Sequence, residues 1–158
     1  MLDTEGFAEF RKALGALRDG HPDEALPHIQ RAVELEPENP FYKSYLGVAI
    51  ARAEQRWADA EDLCDSAVRR KRDQPQLYLN LAEVYAAAGR RQDAVETLLM
   101  GIRYAQRDSR IQRTLNELSL RRRPVIPFLR RENLINRQLG QIRHRTRRRR
   151  VVAKEATT

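Results

Sequence analysis

The chain has 158 residues rich in Ala, Leu, Arg and Glu, and its seven Gly and seven Pro are too few for a turn-rich all-β protein, so long helices are favoured. The length leaves room for about one domain and a tail, and the single cysteine, Cys64, excludes an internal disulfide and favours a reducing compartment. The net charge of +8 is uneven, because residues 1–120 hold 17 Lys/Arg and 20 Asp/Glu (net −3) whereas residues 121–158 hold 13 Lys/Arg and two acids (net +11).

From the first residues of the sequence we expect no export signal. The N-terminus contains Asp3 and Glu5 and lacks the basic segment and apolar run of a signal peptide. No window of the sequence approaches the ~18 apolar residues of a membrane-spanning helix. We therefore expect a soluble protein of the cytoplasm.

Small residues recur with one period along the first two thirds of the chain. Two sets of three positions share spacings of 35 and then 34 residues: Ala25, Ala60 and Ala94, and Ala32, Ala67 and Gly101. In the helix ahead of the turn of the second and third units, Leu46-Gly47 and Leu81-Ala82 are also 35 residues apart. Small residues at a helix crossing let two helices approach closely, so we expect Gly47 to face Ala60 and Ala82 to face Ala94.

Proline and acidic residues mark the element boundaries in chain order. Pro22 suits the first position of a helix. The segments 37–40 and 73–75 each contain proline and separate consecutive units. Asp108-Ser109 can cap a seventh helix over residues 110–122, which closes a domain of residues 1–120.

These units resemble the tetratricopeptide repeat, a family of helical hairpins of 34 residues. The matching residues of the third unit are Tyr78, Leu81, Ala82, Tyr85, Gly89 and Ala94. The matching residues of the second unit are Leu46, Gly47, Trp57, Ala60 and Ala67, with one residue inserted before its turn. The resemblance implies repeats at about 7–39, 40–74 and 75–107 and an all-α fold, a right-handed superhelix of antiparallel helical hairpins (an α-solenoid).

A stack of such hairpins is concave on the side lined by the first helix of each unit, and this groove is the predicted protein-binding site. The residues expected to line it are Phe41, Tyr45, Val48, Arg52, Leu79, Asn80 and Glu83. Large apolar side chains on a solvated surface favour an extended or helical peptide ligand. The alternative is that the seventh helix or the tail covers them.

Some members of the family hold the C-terminal carboxylate of chaperones with a Lys/Asn/Arg set in the groove. In this sequence Phe10, Leu14, Tyr45 and Gln76 stand at most of the equivalent positions, and only Asn80 is of the matching type. The resemblance therefore does not imply such a carboxylate clamp here.

The extension of residues 123–158 has an unusual composition. Two prolines interrupt an apolar recognition strip, and an amphipathic helical pattern follows; the apolar residues are Val125, Ile126, Phe128, Leu129, Leu134 and Leu139. The basic tail has six arginines in eight residues: Arg143, Arg145, Arg147, Arg148, Arg149 and Arg150. The strip either docks on the repeats or recognises a partner. The arginines either solubilise a disordered end or contact nucleic acid or an acidic protein, and a membrane is not expected.

Catalytic and metal-binding patterns are missing from the sequence. His21, His28 and His144 are scattered and Cys64 has no second thiol nearby, so we expect no metal and no cofactor. No phosphate-binding loop or nucleophile motif occurs, and we expect no enzyme activity. The sequence thus favours a non-enzymatic adaptor or scaffold that binds a protein through its groove. The alternative is an RNA-associated protein whose repeats are a platform for the tail, and the oligomeric state is left open.

Overall fold

The computed structural model describes residues 4–105 and 108–120, and seven α-helices with no strand make up this part of the chain. Their bounds are α1 (Glu5–Asp19), α2 (Pro22–Leu35), α3 (Pro40–Ala53), α4 (Trp57–Arg70), α5 (Pro75–Ala87), α6 (Arg91–Tyr104) and α7 (Ser109–Leu120). The predicted all-α solenoid fold is confirmed. The apolar strip, the arginine run and the last two residues predicted for the seventh helix lie outside the described residues.

Helix starts follow the local chemistry of the sequence. Three helices begin at Pro22, Pro40 and Pro75, where a missing N–H costs nothing because the first helical N–H groups have no partner inside the helix. Asn39 precedes α3, and its side-chain oxygen accepts a hydrogen bond from the Phe41 N–H at 3.0 Å. The breaks predicted between the units are confirmed.

The turn inside each hairpin needs one residue in the left-handed region. Gly20 and Gly89 supply it with φ of 84° and 76°. In the second hairpin the inserted residue makes the turn different, and Gln55 takes φ of 54°. A side chain in this region costs roughly 1–2 kcal/mol relative to glycine, and the packed helices on both sides of the turn must offset that cost.

Consecutive helices pack as hairpins, α1 with α2, α3 with α4 and α5 with α6, and α3 is also in contact with α2 and α5. The closest approach is at Gly47. A Cβ atom built on this residue would lie 2.7 Å from the Ala60 carbonyl oxygen and 2.7 Å from Cys64 Sγ. Gly47 therefore faces Ala60 as predicted, and α4 leaves no room for a side chain at this position.

We expect Gly47→Ala to lower the free energy of unfolding by about 1–3 kcal/mol, because the added methyl group meets a backbone carbonyl that cannot rotate away. The matched control is Gly15→Ala, at a helical glycine with nothing within 4 Å of the added carbon. This control should gain up to about 1 kcal/mol from helix propensity. Urea denaturation of both variants measures the difference, and equal stabilities would contradict the close approach.

The core consists of three clusters, and partly buried Leu46 and Tyr85 each pack against two of them. Its last cluster joins α5, α6 and α7 through Ala82, Ala94, Leu98 and Ile111. Ile111 is fully buried, and half-buried Leu115 and Leu118 pack beside it, so one face of α7 covers the last hairpin. The N–H of Arg110 donates to the Asp108 carboxylate at 2.7 Å, which caps this helix.

Candidate protein-binding surface

Side chains from α3, α5 and α7 meet on one face of the stack. We call it the first-helix face and define it by Tyr45, Arg52, Gln76, Glu83 and Arg110. Hydrogen bonds join Arg52 to Glu83 and Arg110 to Gln76. Hydrogen bonds thus link polar side chains of three helices on this face, and Glu83 and Arg110 lie near enough to Tyr45 to influence its hydroxyl.

Tyr45 is the aromatic centre of the first-helix face. Its ring packs edge-on against Phe10 of α1, with 5.3 Å between the ring centroids. Burial raises the pKa of its hydroxyl, the charge of Glu83 raises it further, and Arg110 opposes that shift. Tyr45 is half-buried, so part of its ring remains open to a ligand.

Arg52 connects three hairpins. Its Nε donates to the Glu83 carboxylate at 2.6 Å, and Nη1 donates to the Leu17 carbonyl oxygen of α1 at 3.0 Å. An exposed ion pair alone contributes only about 0–1 kcal/mol. The bond to a backbone carbonyl at a helix end fixes the guanidinium more firmly, so Arg52 is held in place on the face.

Arg110 comes from α7, outside the three repeats. Its Nη1 donates to Gln76 Oε1 at 2.8 Å, and the same guanidinium binds the Asp108 carboxylate. The hydrogen bonds that Asp108 accepts from the side chain and the N–H of Arg110 hold its pKa below the usual value. Arg110 was not among the predicted groove residues, yet it lies 34 residues after Gln76, and this repeat period is the sequence signal that points to it.

A chain of hydrogen bonds runs inward from the first-helix face. Gln76 donates to Asn80 at 2.8 Å, and Asn80 donates to the hydroxyl of Ser44 at 3.0 Å. The Cys64 thiol donates to the Ser44 carbonyl oxygen at 3.2 Å. Burial raises the pKa of Cys64 to about 12, so the thiol stays protonated at neutral pH. Buried polar groups thus find partners beneath the face, which fixes the helices that carry it.

Two of the seven residues predicted to line an open groove are buried instead. Val48 is 3% exposed and packs in the core with Leu77 and Leu81 of α5. Asn80 is 2% exposed, because its amide turns inward to Ser44. The prediction of exposed side chains at these two positions is wrong, since α3 and α5 pack against each other along this line.

The other five predicted residues divide into two groups. Tyr45, Arg52 and Glu83 lie on the first-helix face. Leu79 is half-buried and packs against the cluster of Ala82, Ala94, Leu98 and Ile111. Phe41 packs against two core clusters and has the Lys71 ammonium 5.7 Å from its ring centroid.

Metal-binding clusters and membrane-spanning helices are both absent from the described part of the chain. Within it, no group of three His, Cys, Asp or Glu side chains could hold a metal ion. No helix there is long and apolar enough to cross a membrane.

Comparisons with protein families agree with the repeat spacing. Two family models, each described as a tetratricopeptide repeat, match residues 10–75 and 51–118. The chain is also similar to the TPR repeat-containing thioredoxin TTL4 of Arabidopsis thaliana, with 36% identity over 95 residues. That match covers 60% of this chain and 13% of the length of the relative.

Solved structures share the fold at low sequence identity. The first TPR of Spaghetti (RPAP3), bound to the HSP90 peptide SRMEEVD, has a TM-score of 0.60 and 19% identity, and the match covers 73% of this chain and 94% of that one. The TPR2B domain of yeast Sti1, in a complex with pHsp70, has a TM-score of 0.58 and 15% identity, with coverage of 75% and 98%.

Proposed function

Because the chain belongs to the tetratricopeptide repeat family, we propose that it is a non-enzymatic adaptor that binds a peptide segment of a partner protein on the first-helix face. The observation that carries this proposal is the set of exposed and half-exposed donors, acceptors and one aromatic ring that α3, α5 and α7 bring together there. Rigid helices hold the set in place, which lowers the ordering cost of binding.

The chemistry of the face favours a peptide with an acidic and an apolar side chain. Tyr45 and Phe10 offer ring surface for the apolar group. Arg52 and Arg110 each have five N–H donors. Glu83 and Asp108 balance their charges, but the hydrogen bonds of each guanidinium occupy only part of its donors. A carboxylate or a main-chain carbonyl group of the ligand can therefore bind Arg110 without displacing a buried partner.

An internal segment of a partner protein fits these residues better than a C-terminal carboxylate does. The peptide complexes among the structural neighbours support protein binding as the class of function, at the level of the fold alone. In this chain Asn80, the one residue of the matching type for a carboxylate clamp, is already bonded to Ser44 and Gln76. We therefore propose an internal segment of the partner rather than its C-terminus.

Peptide display on the full chain tests the proposal. The tightest peptide is labelled and its affinity is measured by fluorescence anisotropy. We expect Arg110→Glu and Tyr45→Ala each to weaken binding by about tenfold or more, because each removes a central contact of the face.

Arg70→Glu is the matched control. Arg70 lies on α4, its side chain is 52% exposed against 55% for Arg110, and each arginine is paired with a carboxylate. The control should leave the affinity within about twofold of the wild type, since rim and remote charges contribute little. Peptides that bind Arg110→Glu as tightly as the wild type would place the ligand elsewhere.

A second candidate function rests on the net charge of +11 over residues 121–158. In it the basic tail contacts nucleic acid or an acidic protein, and the repeats are a platform. It predicts the opposite result: a single-stranded RNA would bind the wild type and Arg110→Glu equally, with an affinity that falls steeply with salt.

Cytoplasmic location stays part of the proposal, on the ground that Cys64 is a buried free thiol.

A further inference from the structure

The outer face of α6 exposes three large apolar side chains. Leu99, Met100 and Tyr104 are 51%, 46% and 49% exposed. They lie on the last two turns of the helix, and Gln92 and Glu96 on the preceding turns are exposed as well. We call this surface the outer α6 face. Large apolar groups in contact with water on one helix face indicate a surface that another molecule covers.

The corresponding positions of the other two hairpins are polar. The residues one and two periods before Leu99 and Met100 are Asp65 and Ser66 in α4, and Gln30 and Arg31 in α2. In those hairpins the outer surface carries ion pairs, between Asp65 and Arg69 and between Arg31 and Glu34. The apolar outer face is therefore a property of the third hairpin and not of the repeat.

Opposite charges on the outer α6 face are placed symmetrically about the point between Leu99 and Met100. Glu96 stands three residues before Leu99, and Arg103 stands three residues after Met100. If a second α6 packs antiparallel so that the two-fold axis passes between Leu99 and Met100, Leu99 of one copy lies against Met100 of the other. Glu96 then lies opposite Arg103 in both directions, so one patch complements itself, as a two-fold interface requires.

We propose that the outer α6 face is a homodimer interface, in which two copies of this chain pair α6 against α6 in antiparallel orientation. A second copy of this chain fits the outer α6 face because the antiparallel arrangement pairs Leu99 with Met100, and Glu96 with Arg103, in both directions. At 1.5 Å per residue, the 14 residues of α6 are about 21 Å long. One helix face of this length is a small contact, so we expect a weak dimer that depends on concentration.

Sedimentation velocity of the full chain over a range of concentrations tests the dimer. Glu96→Arg or Arg103→Glu alone turns two attractive pairs into two repulsive ones, and each should weaken dimerisation by about tenfold or more. The double variant, Glu96→Arg with Arg103→Glu, restores both pairs in reversed order. It should return the dissociation constant to within about threefold of the wild type, which only reciprocal pairing explains.

Asp62→Arg is the matched control, because Asp62 lies 34 residues before Glu96 at the same repeat position of α4. It should leave the dimer unchanged, and circular dichroism checks that each variant is folded. A wild-type chain that is monomeric at every concentration overturns the proposal, as does a dimer that tolerates both single variants. A double variant as weak as the singles overturns the antiparallel register.

Discussion

Tyr78→Ala is expected to lower the free energy of unfolding by about 3–5 kcal/mol, which is among the largest losses that one substitution can cause. Tyr78 is among the largest fully buried side chains of the described residues. Its ring lies against Gly101 of α6, where an added Cβ would come within 3.0 Å of Tyr78 Cβ and Cγ. Removal of the ring leaves a cavity in the core cluster that joins the second and third hairpins.

Tyr78→Phe separates the ring from the hydroxyl. The hydroxyl donates to the Arg72 carbonyl oxygen at 2.9 Å, so its loss should cost only about 1 kcal/mol. Urea denaturation monitored by circular dichroism gives both values. If the phenylalanine variant lost as much stability as the alanine variant, the hydrogen bond and not the packing of the ring would be the larger contribution.

Ile111→Ala is expected to release α7 from the last hairpin. Ile111 is fully buried in the cluster with Leu98 and Ala94, and truncation of such a side chain costs about 2–5 kcal/mol. In a stacked-repeat protein a terminal element contacts only its neighbour, so the loss falls on α7 rather than on the whole array. Hydrogen exchange should therefore speed up in residues 109–120, while α1 to α4 keep their protection.

The same variant should weaken peptide binding, since α7 brings Arg110 to Gln76 on the first-helix face. Ile111→Val is the control for volume, with an expected cost of about 0.5–1.5 kcal/mol and no release of the helix. Unchanged exchange in residues 109–120 of the alanine variant would show that Ile111 does not anchor α7.

Much of the fold could be predicted because the constraints were local or periodic. Pro22, Pro40 and Pro75 suit the first position of a helix, where an N–H group has no partner inside the helix, and each begins a helix in the structure. Gly47 could be placed against Ala60 because only small residues allow two backbones to approach this closely. Neither inference requires knowledge of the other hairpins.

The candidate site was harder to predict because a repeat position does not determine burial. In the sequence, Asn80 is a polar residue and suggests an exposed position on a helix. In the structure it is buried, because its amide donates a hydrogen bond to Ser44, 36 residues away. Val48 has an apolar side chain, which suits both a core and a binding surface. Arg110 was missed because it lies beyond the three recognisable repeats, although the period points to it.

Arg52 has a consequence for how the array unfolds. Hairpins in a linear array normally interact only with the next hairpin, so each end can open independently of the other. Arg52 binds Leu17 of the first hairpin and Glu83 of the third at the same time. Opening of either end removes one partner of this guanidinium and so weakens the hold on the opposite end. Because an exposed ion pair contributes only about 0–1 kcal/mol, we expect this shared guanidinium to add a small coupling between the two ends of the array.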